Sequence, residues 1–372
     1  MDWLEGSPRY RLVRLFYHRN ETYVPGALFL SGVGWDAATL QRIDALLDNV
    51  ILGAYLLLLG GFVVLTTLSN SGTRLPKSLR QLDQWSTGAI QFLAGGLFSA
   101  YVIYYTQSAS LSTASLFLGL LVAVLVANEF IWNRTLNVYV LVGVYFLAVF
   151  CYFTFFLPIV FGEMGFGVFL TAGCLSAALL GLLILYFDRR GVFPNNRSFL
   201  GAFGIVLALL AVMNLFYVQQ WIPPVPLALR HGGMYENVEV RGDAYALQHR
   251  DIPWWKVWED TDEEVVRYRP GDAVYAFAAV FAPTNLETEI YHRWQIYDPD
   301  TDTWRETDRI GYEVVGGRQN GYRGYTYKRH LRPGQWRVSV ETADDRPIGR
   351  IPFTVVRADT ARTPEYDVRL YR

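Results

Sequence analysis

The chain has 372 residues, 52% of them apolar or aromatic and 18% charged, against about 25% charge in an average soluble protein. Residues 1–230 hold 13 of the 33 Lys and Arg and 10 of the 34 Asp and Glu, and residues 231–372 hold the rest. The formal net charge of −1 thus averages a charge-poor first part and a charge-rich second part. This excludes a single soluble domain, a collagen-like fibre, a disordered chain and a basic nucleic-acid binder.

Residues 1–22 carry Arg9, Arg11, Arg14 and Arg19 and have no apolar core with a cleavage site, so no cleavable signal peptide is expected. Residues 23–222 form the expected membrane domain. Six runs, at about 50–68, 86–105, 111–128, 136–157, 164–187 and 199–218, are apolar enough to cross roughly 30 Å of hydrocarbon as helices of about 20 residues. A seventh candidate, Tyr23 to Leu40, contains Asp36 and several glycines. If it spans, the N-terminal arginines fall on the same side as the basic segments near 69–85, 129–135 and 188–198. The opposite connections then carry a single basic residue, Arg42. The positive-inside rule therefore favours about seven spans in a plasma (inner) membrane, with the N-terminus cytoplasmic and the C-terminal domain extracytoplasmic. The glycines of the spans suit close helix packing.

Ionisable residues at membrane depth are unfavourable unless they serve a purpose. Asp36, Arg42, Asp44 and Glu129 are the candidates, either for local pairing or for a polar path through the bundle.

A proline-rich linker, 223–235, precedes a change of period. Runs 273–281, 290–297, 322–331, 335–341 and 350–356 read as strands, with 238–247 and 309–315 as weaker ones, separated by Pro-Gly and Asp-Pro turns. Together they predict an all-β, sandwich-like domain over 236–358 and a polar tail over 359–372. Alternation sends Ile290, His292, Trp294 and Ile296 to one face of their strand and Tyr291, Arg293, Gln295 and Tyr297 to the other. Likewise Trp336, Val338 and Val340 point inward, and Arg337, Ser339 and Glu341 outward. Trp294 and Trp336 are the expected core anchors, and His292 is expected to be a core histidine.

No P-loop, dinucleotide fingerprint, nucleophile elbow or zincin motif occurs, so neither catalytic residues nor a cofactor are expected. Cys151 and Cys174 both lie in apolar runs, and no spacing of His, Cys or carboxylates marks a metal site. Asp298, Asp300 and Asp302 start like a calcium loop, but Thr303 and Arg309 stand where such a loop needs Gly and Glu. Trp254, Trp255 and Trp258, beside an acidic run at 259–264, are candidate contacts for a sugar, a protein surface or the outer leaflet, or plugs for an open end of the sandwich.

The motifs His292-Arg293-Trp294, Gly321 to Lys328, Pro333 to Val338 and Gly349 to Phe353 together resemble the C-terminal domain of unknown function 2914. The resemblance covers about 290–356, and Thr39 to Asp44 is similar to a stretch in the membrane parts of such proteins. It implies a bacterial envelope protein and supplies no activity. The leading expectation is a bilayer-embedded binding module that recognises an envelope protein or glycan through Trp254, Trp255, Trp258, Tyr291, Arg293 and Arg337. The alternative is a transporter or membrane enzyme whose helices act, with the β-domain as an accessory.

Overall fold

The computed structural model describes residues 46–73, 75–83, 85–108, 111–130, 137–242, 244–250, 264–283, 286–315, 321–358 and 366–371. Among the described residues there are seven helices: α1 (Leu46–Asn70), α2 (Lys77–Asp83), α3 (Ser86–Gln107), α4 (Leu111–Phe130), α5 (Val138–Phe161), α6 (Phe166–Arg189) and α7 (Asn196–Val218). Five of them, α1, α3, α5, α6 and α7, are long and apolar enough to cross a bilayer, which makes this a multi-pass membrane protein. Seven spans therefore overstates the count. In α4 the described side chains are those of Ala114–Ala127, fewer than the roughly 20 residues by which a span is recognised. The candidate span Tyr23–Leu40 lies outside the described residues.

Helix α5 is the centre of the bundle. Within the protein 72% of its apolar window is buried, against 17% for α7. Asn137 caps its start by accepting a hydrogen bond from the Tyr139 amide, and Gly162 ends it in the left-handed conformation. Tyr145, Phe146, Phe150, Tyr152 and Phe155 of α5 are buried. The Tyr101 hydroxyl of α3 donates to the Ala148 carbonyl at 2.9 Å, and the Tyr152 hydroxyl donates to the Asn49 carbonyl of α1 at 3.3 Å. Because lipid tails are as apolar as the side chains, helices associate here through packing and such bonds rather than through water exclusion. At the contact of α1 with α5, a side chain on Gly60 would strike the Tyr145 hydroxyl.

Eleven strands follow among the described residues: β1 (Ala228–Tyr235), β2 (Asn237–Arg241), β3 (Ala244–Arg250), β4 (Glu264–Tyr268), β5 (Val274–Phe281), β6 (Glu287–Asp298), β7 (Thr303–Val315), β8 (Tyr322–Lys328), β9 (Gly334–Thr342), β10 (Pro347–Arg357) and β11 (Tyr366–Tyr371). They form three sheets, ordered β1-β5-β8, β4-β10-β9-β6-β7 and β11-β3-β2. Only β4 and β10 pair in parallel; the other pairs are antiparallel.

The expected two-sheet sandwich is thus replaced by three layers. One face of the β1-β5-β8 sheet, with Ala276, Ala278 and Val280, joins a core with Trp294, Trp336, Val338 and Phe353 of the five-stranded sheet. Its other face, with Phe277 and Ala279, meets Val238 and Leu247 of the third sheet. Burial on both faces explains why Val274–Phe281 shows no polar alternation. Trp294 and Trp336 are core anchors, at 0% and 3% exposure.

Overpacking a helix contact usually destabilises by about 1–3 kcal/mol. Gly60→Val should therefore lower the thermal midpoint of the detergent-solubilised protein. Gly61→Val, whose added Cβ meets nothing within 4 Å, should leave it unchanged.

Candidate functional site

Tyr291, Arg293 and Arg337 lie on the outer face of the five-stranded sheet. Arg293 stands opposite Arg309 on β7 and Ser339 on β9, while Arg337 stands opposite Gln295 on β6 and Pro352 on β10. Period-two alternation places them there, but this face is not simply solvated. Ser339 and Glu341 point outward as expected and are nevertheless buried, at 5% and 2% exposure. Both sit among arginines: Arg293 and Arg309 pair with Glu341, and Arg350 stands opposite Ser339.

The two ends of the face differ in charge. At one end Arg293 reaches Glu306 at 3.2 Å, Glu341 at 3.0 Å and also Asp345, while Arg309 reaches Glu341 at 3.0 Å and Asp345 at 3.1 Å. Burial pushes the Glu341 carboxyl up, against the lowering by Arg309 and Arg293. At the other end Arg337 donates from Nε to Gln295 Oε1 at 2.7 Å, and its guanidinium carbon sits 4.2 Å from the centre of the Trp304 ring. Burial, and then the like charge of Arg350, pushes the Arg337 guanidinium down to about 10. Among the described residues no carboxylate lies within ion-pairing distance of Arg337.

Beneath this face the expected core histidine is part of a closed polar network. His292 Nδ1 and Trp294 Nε1 both lie 3.0 Å from Thr326 Oγ1, and His292 Nε2 lies 3.0 Å from the Tyr312 hydroxyl. A neutral imidazole serves both contacts, one nitrogen donating and the other accepting. Burial pushes His292 down to about 3, so it stays neutral and has no route to a substrate. Gly324 belongs to this arrangement, because a side chain there would collide with the Tyr312 ring.

A second notable place is the seam between helices and sheets. Pro223 to Ala228, the first part of the expected linker, is buried together with Ile222 before it, so the β-region is seated on the bundle. Arg346, 6% exposed, enters this seam from the β9–β10 hairpin. Its Nη atoms donate to the carbonyls of Tyr217 at 2.9 Å and Ile222 at 3.4 Å, and its Nε donates to Asp344 at 3.0 Å. The guanidinium lies 3.2 Å from the centre of the Tyr217 ring. It thereby satisfies a carbonyl at the end of α7, where the helix dipole favours a cation. Beside it is a cavity of about 250 Å³ lined by Met164, Phe166, Tyr217, Pro223, Thr342 and Arg346 among others.

Trp254, Trp255, Trp258, Asp36, Arg42 and Asp44 lie outside the described residues, and Glu129 is at the end of α4 with its side chain likewise outside them. Asp298 and Asp302 shape the β6–β7 turn: Asp298 accepts from the Asp300 amide, and Asp302, at φ +52°, accepts from the Tyr297 hydroxyl. Among the described residues no group of three or more His, Cys, Asp or Glu side chains is placed to hold a metal ion. Sequence reasoning missed Arg346 altogether, since its partners Tyr217 and Ile222 are more than 120 residues away in sequence.

Two outcomes follow. The folded state refuses a proton at His292 between its own value of about 3 and the unfolded value of about 6.5, while the unfolded state accepts it. The stability His292 contributes is full above about pH 6.5 and is lost as pH falls. The loss reaches about 2 kcal/mol at pH 5. Chemical unfolding at pH 7 and pH 5 should show this component in the native protein and not in His292→Gln. Arg346→Met leaves buried carbonyls without their donor, at roughly 1–3 kcal/mol each. It should make the segment at 219–227 cleavable by limited proteolysis while the helices keep their circular dichroism.

No curated protein matches the chain. A solved structure with partial likeness is that of the Pseudomonas fluorescens alkylpurine DNA glycosylase AlkC bound to DNA containing an abasic site analog. It is 8% identical and covers 86% of this chain and 99% of its own, with a TM-score of 0.21, a value at which neither fold nor function carries over. Residues 287–355, which run from the start of β6 into β10, match the family described as Protein of unknown function (DUF2914), and this protein is therefore a helical membrane bundle that carries a DUF2914 domain in its β-region.

Proposed function

We propose that the protein is a membrane-anchored recognition module of the bacterial cell envelope. Five apolar helices fix it in the bilayer, and the β-region presents the outer face of its five-stranded sheet to a partner. The N-terminus is cytoplasmic and the β-region extracytoplasmic, a reading supported by the one-sided distribution of basic residues along the membrane half. The observation that carries the recognition role is the convergence of Tyr291, Arg293 and Arg337 on one sheet face, among arginines and aromatic rings. Arg and aromatic residues are the side chains most enriched at binding hot spots. The domain boundaries at 1–22, 23–222, 223–235, 236–358 and 359–372 belong to the same reading. Within it, β1 and β11 extend the β-region into the two flanking segments.

The orientation is tested with one cysteine at exposed Arg241 in a Cys174→Ser background. A membrane-impermeant maleimide should label it in intact spheroplasts, and labelling only after lysis would reverse the assignment. Recognition is tested with a photocrosslinking residue at exposed Gln335, on the outer face, and at Arg241, on the third sheet. A discrete adduct in intact envelopes should form at Gln335 and not at Arg241. Equal patterns, or none at Gln335, would remove the recognition role.

A further inference from the structure

The outer face is electrically lopsided, and the free end has a definite chemistry. Near Glu341 the arginines are saturated by carboxylates. Toward Trp304, Arg337 is held from behind: Nε is bound to Gln295, and the guanidinium carbon sits over the indole. Among the described residues nothing is bonded to its two Nη groups. A guanidinium fixed in this way presents a planar pair of donors, the geometry that matches a carboxylate in a bidentate bond. Arg350 stands diagonally across on β10 and raises the positive potential at the same spot.

The surroundings say which kind of carboxylate fits. A sugar acid normally needs an open aromatic face for its ring. Here Trp304 already carries Arg337, and Tyr291 already carries Arg309 at 3.8 Å. What lies open beside Arg337 toward β10 and β4 is largely aliphatic: Pro352 is exposed, Val356 is half-buried and Val265 is 57% exposed, with Thr354 and Gln335 between them, while half-buried Tyr297 packs against Trp304. Lipid headgroups of the protein's own bilayer are also a poor match. Thr288, Thr342 and Arg346 mark the ends of β6, β9 and β10 at the helix seam, so these strands run away from the helices. Arg337 lies five residues along β9 from Thr342, about 17 Å of strand, beyond a headgroup layer of about 6 Å.

We infer that Arg337, backed by Trp304 and Gln295 and reinforced by Arg350, binds a side-chain or terminal carboxylate of an acidic, aliphatic-flanked peptide segment of a partner protein. This rests on the recognition role and names its ligand class.

The test uses the full chain in lipid nanodiscs, panned against a random peptide phage library, with an array of acidic oligosaccharides as a second arm. Peptides recovered on the native protein should be enriched in Asp and Glu beside aliphatic residues. A synthetic copy of the best should bind Arg337→Gln about tenfold or more weakly, Arg337→Lys at an intermediate level, and Arg241→Gln unchanged. Arg337→Glu should instead select Lys- and Arg-rich peptides, an outcome that misfolding cannot produce. Absence of acidic enrichment, or charge reversal without a change in the selected peptides, overturns the proposal. Arg337-dependent binding confined to the oligosaccharides overturns it in favour of a glycan. A Gln335 adduct that persists in Arg337→Gln cells leaves the recognition role standing and removes this ligand class. An adduct absent from native cells removes the role, while the panning still decides the chemistry.

Discussion

The guanidinium of Arg346 holds helices and sheets in one arrangement. A buried cation is tolerated only when its charge and its donors are all met. Here Asp344, the Tyr217 carbonyl in the last turn of α7, the Ile222 carbonyl just beyond it and the Tyr217 ring meet them together. Those partners come from the last helix, the segment after it and the β9–β10 hairpin, so they are satisfied in only one relative placement. Everything beyond depends on that placement. Strands β6, β9 and β10 start or end at the seam, and the face carrying Arg293 and Arg337 is therefore held in a fixed attitude to the membrane.

The five-stranded sheet has two faces with opposite means of stability. Its inner face is a dry layer of Trp294, Trp336, Val338 and Phe353, interrupted only by the His292 network in which each polar atom has a partner. Its outer face buries Ser339 and Glu341 among charged side chains, an arrangement that is unfavourable unless the ion pairs are well formed. At the Glu341 end they are. At the Trp304 end stacking on an indole replaces the carboxylate, which steadies the guanidinium without neutralising it.

Local sequence made much of this legible and left the rest hidden for identifiable reasons. Ile290 to Tyr297 and Trp336 to Glu341 alternate strictly, because each lies in a sheet with one apolar face, and both their strands and their orientation could be read. Val274–Phe281 could be recognised as a strand, but not as the middle of three layers, since burial on both faces erases alternation. Ala228–Tyr235 escaped because its His231-Gly232-Gly233 centre carries no apolar period. Tyr366–Tyr371 alternates as a strand does, but it is short and lies in the stretch read as a polar tail. The span count differs for another reason: of the run at 111–128 the described side chains are those of Ala114–Ala127, and Tyr23–Leu40 lies outside the described residues. At the site, Tyr291, Arg293 and Arg337 were found by period two. Trp304, Gln295 and Arg350, which give Arg337 its character, come together only through strand pairing.

The parallel pairing of β4 with β10 has a consequence for where the evolutionary unit ends. Residues 287–355 contain β6 to β9 and most of β10, yet the edge beyond β10 is supplied by Glu264–Tyr268. The layer that covers Trp294 and Phe353 comes from β5, with β1 beside it, earlier still in the chain. A polypeptide trimmed to the matched segment would present one raw strand edge and an uncovered apolar sheet face. The stretch that can be recognised across proteins is thus smaller than the stretch that can exclude water, and other carriers of this segment must complete it with strands of their own.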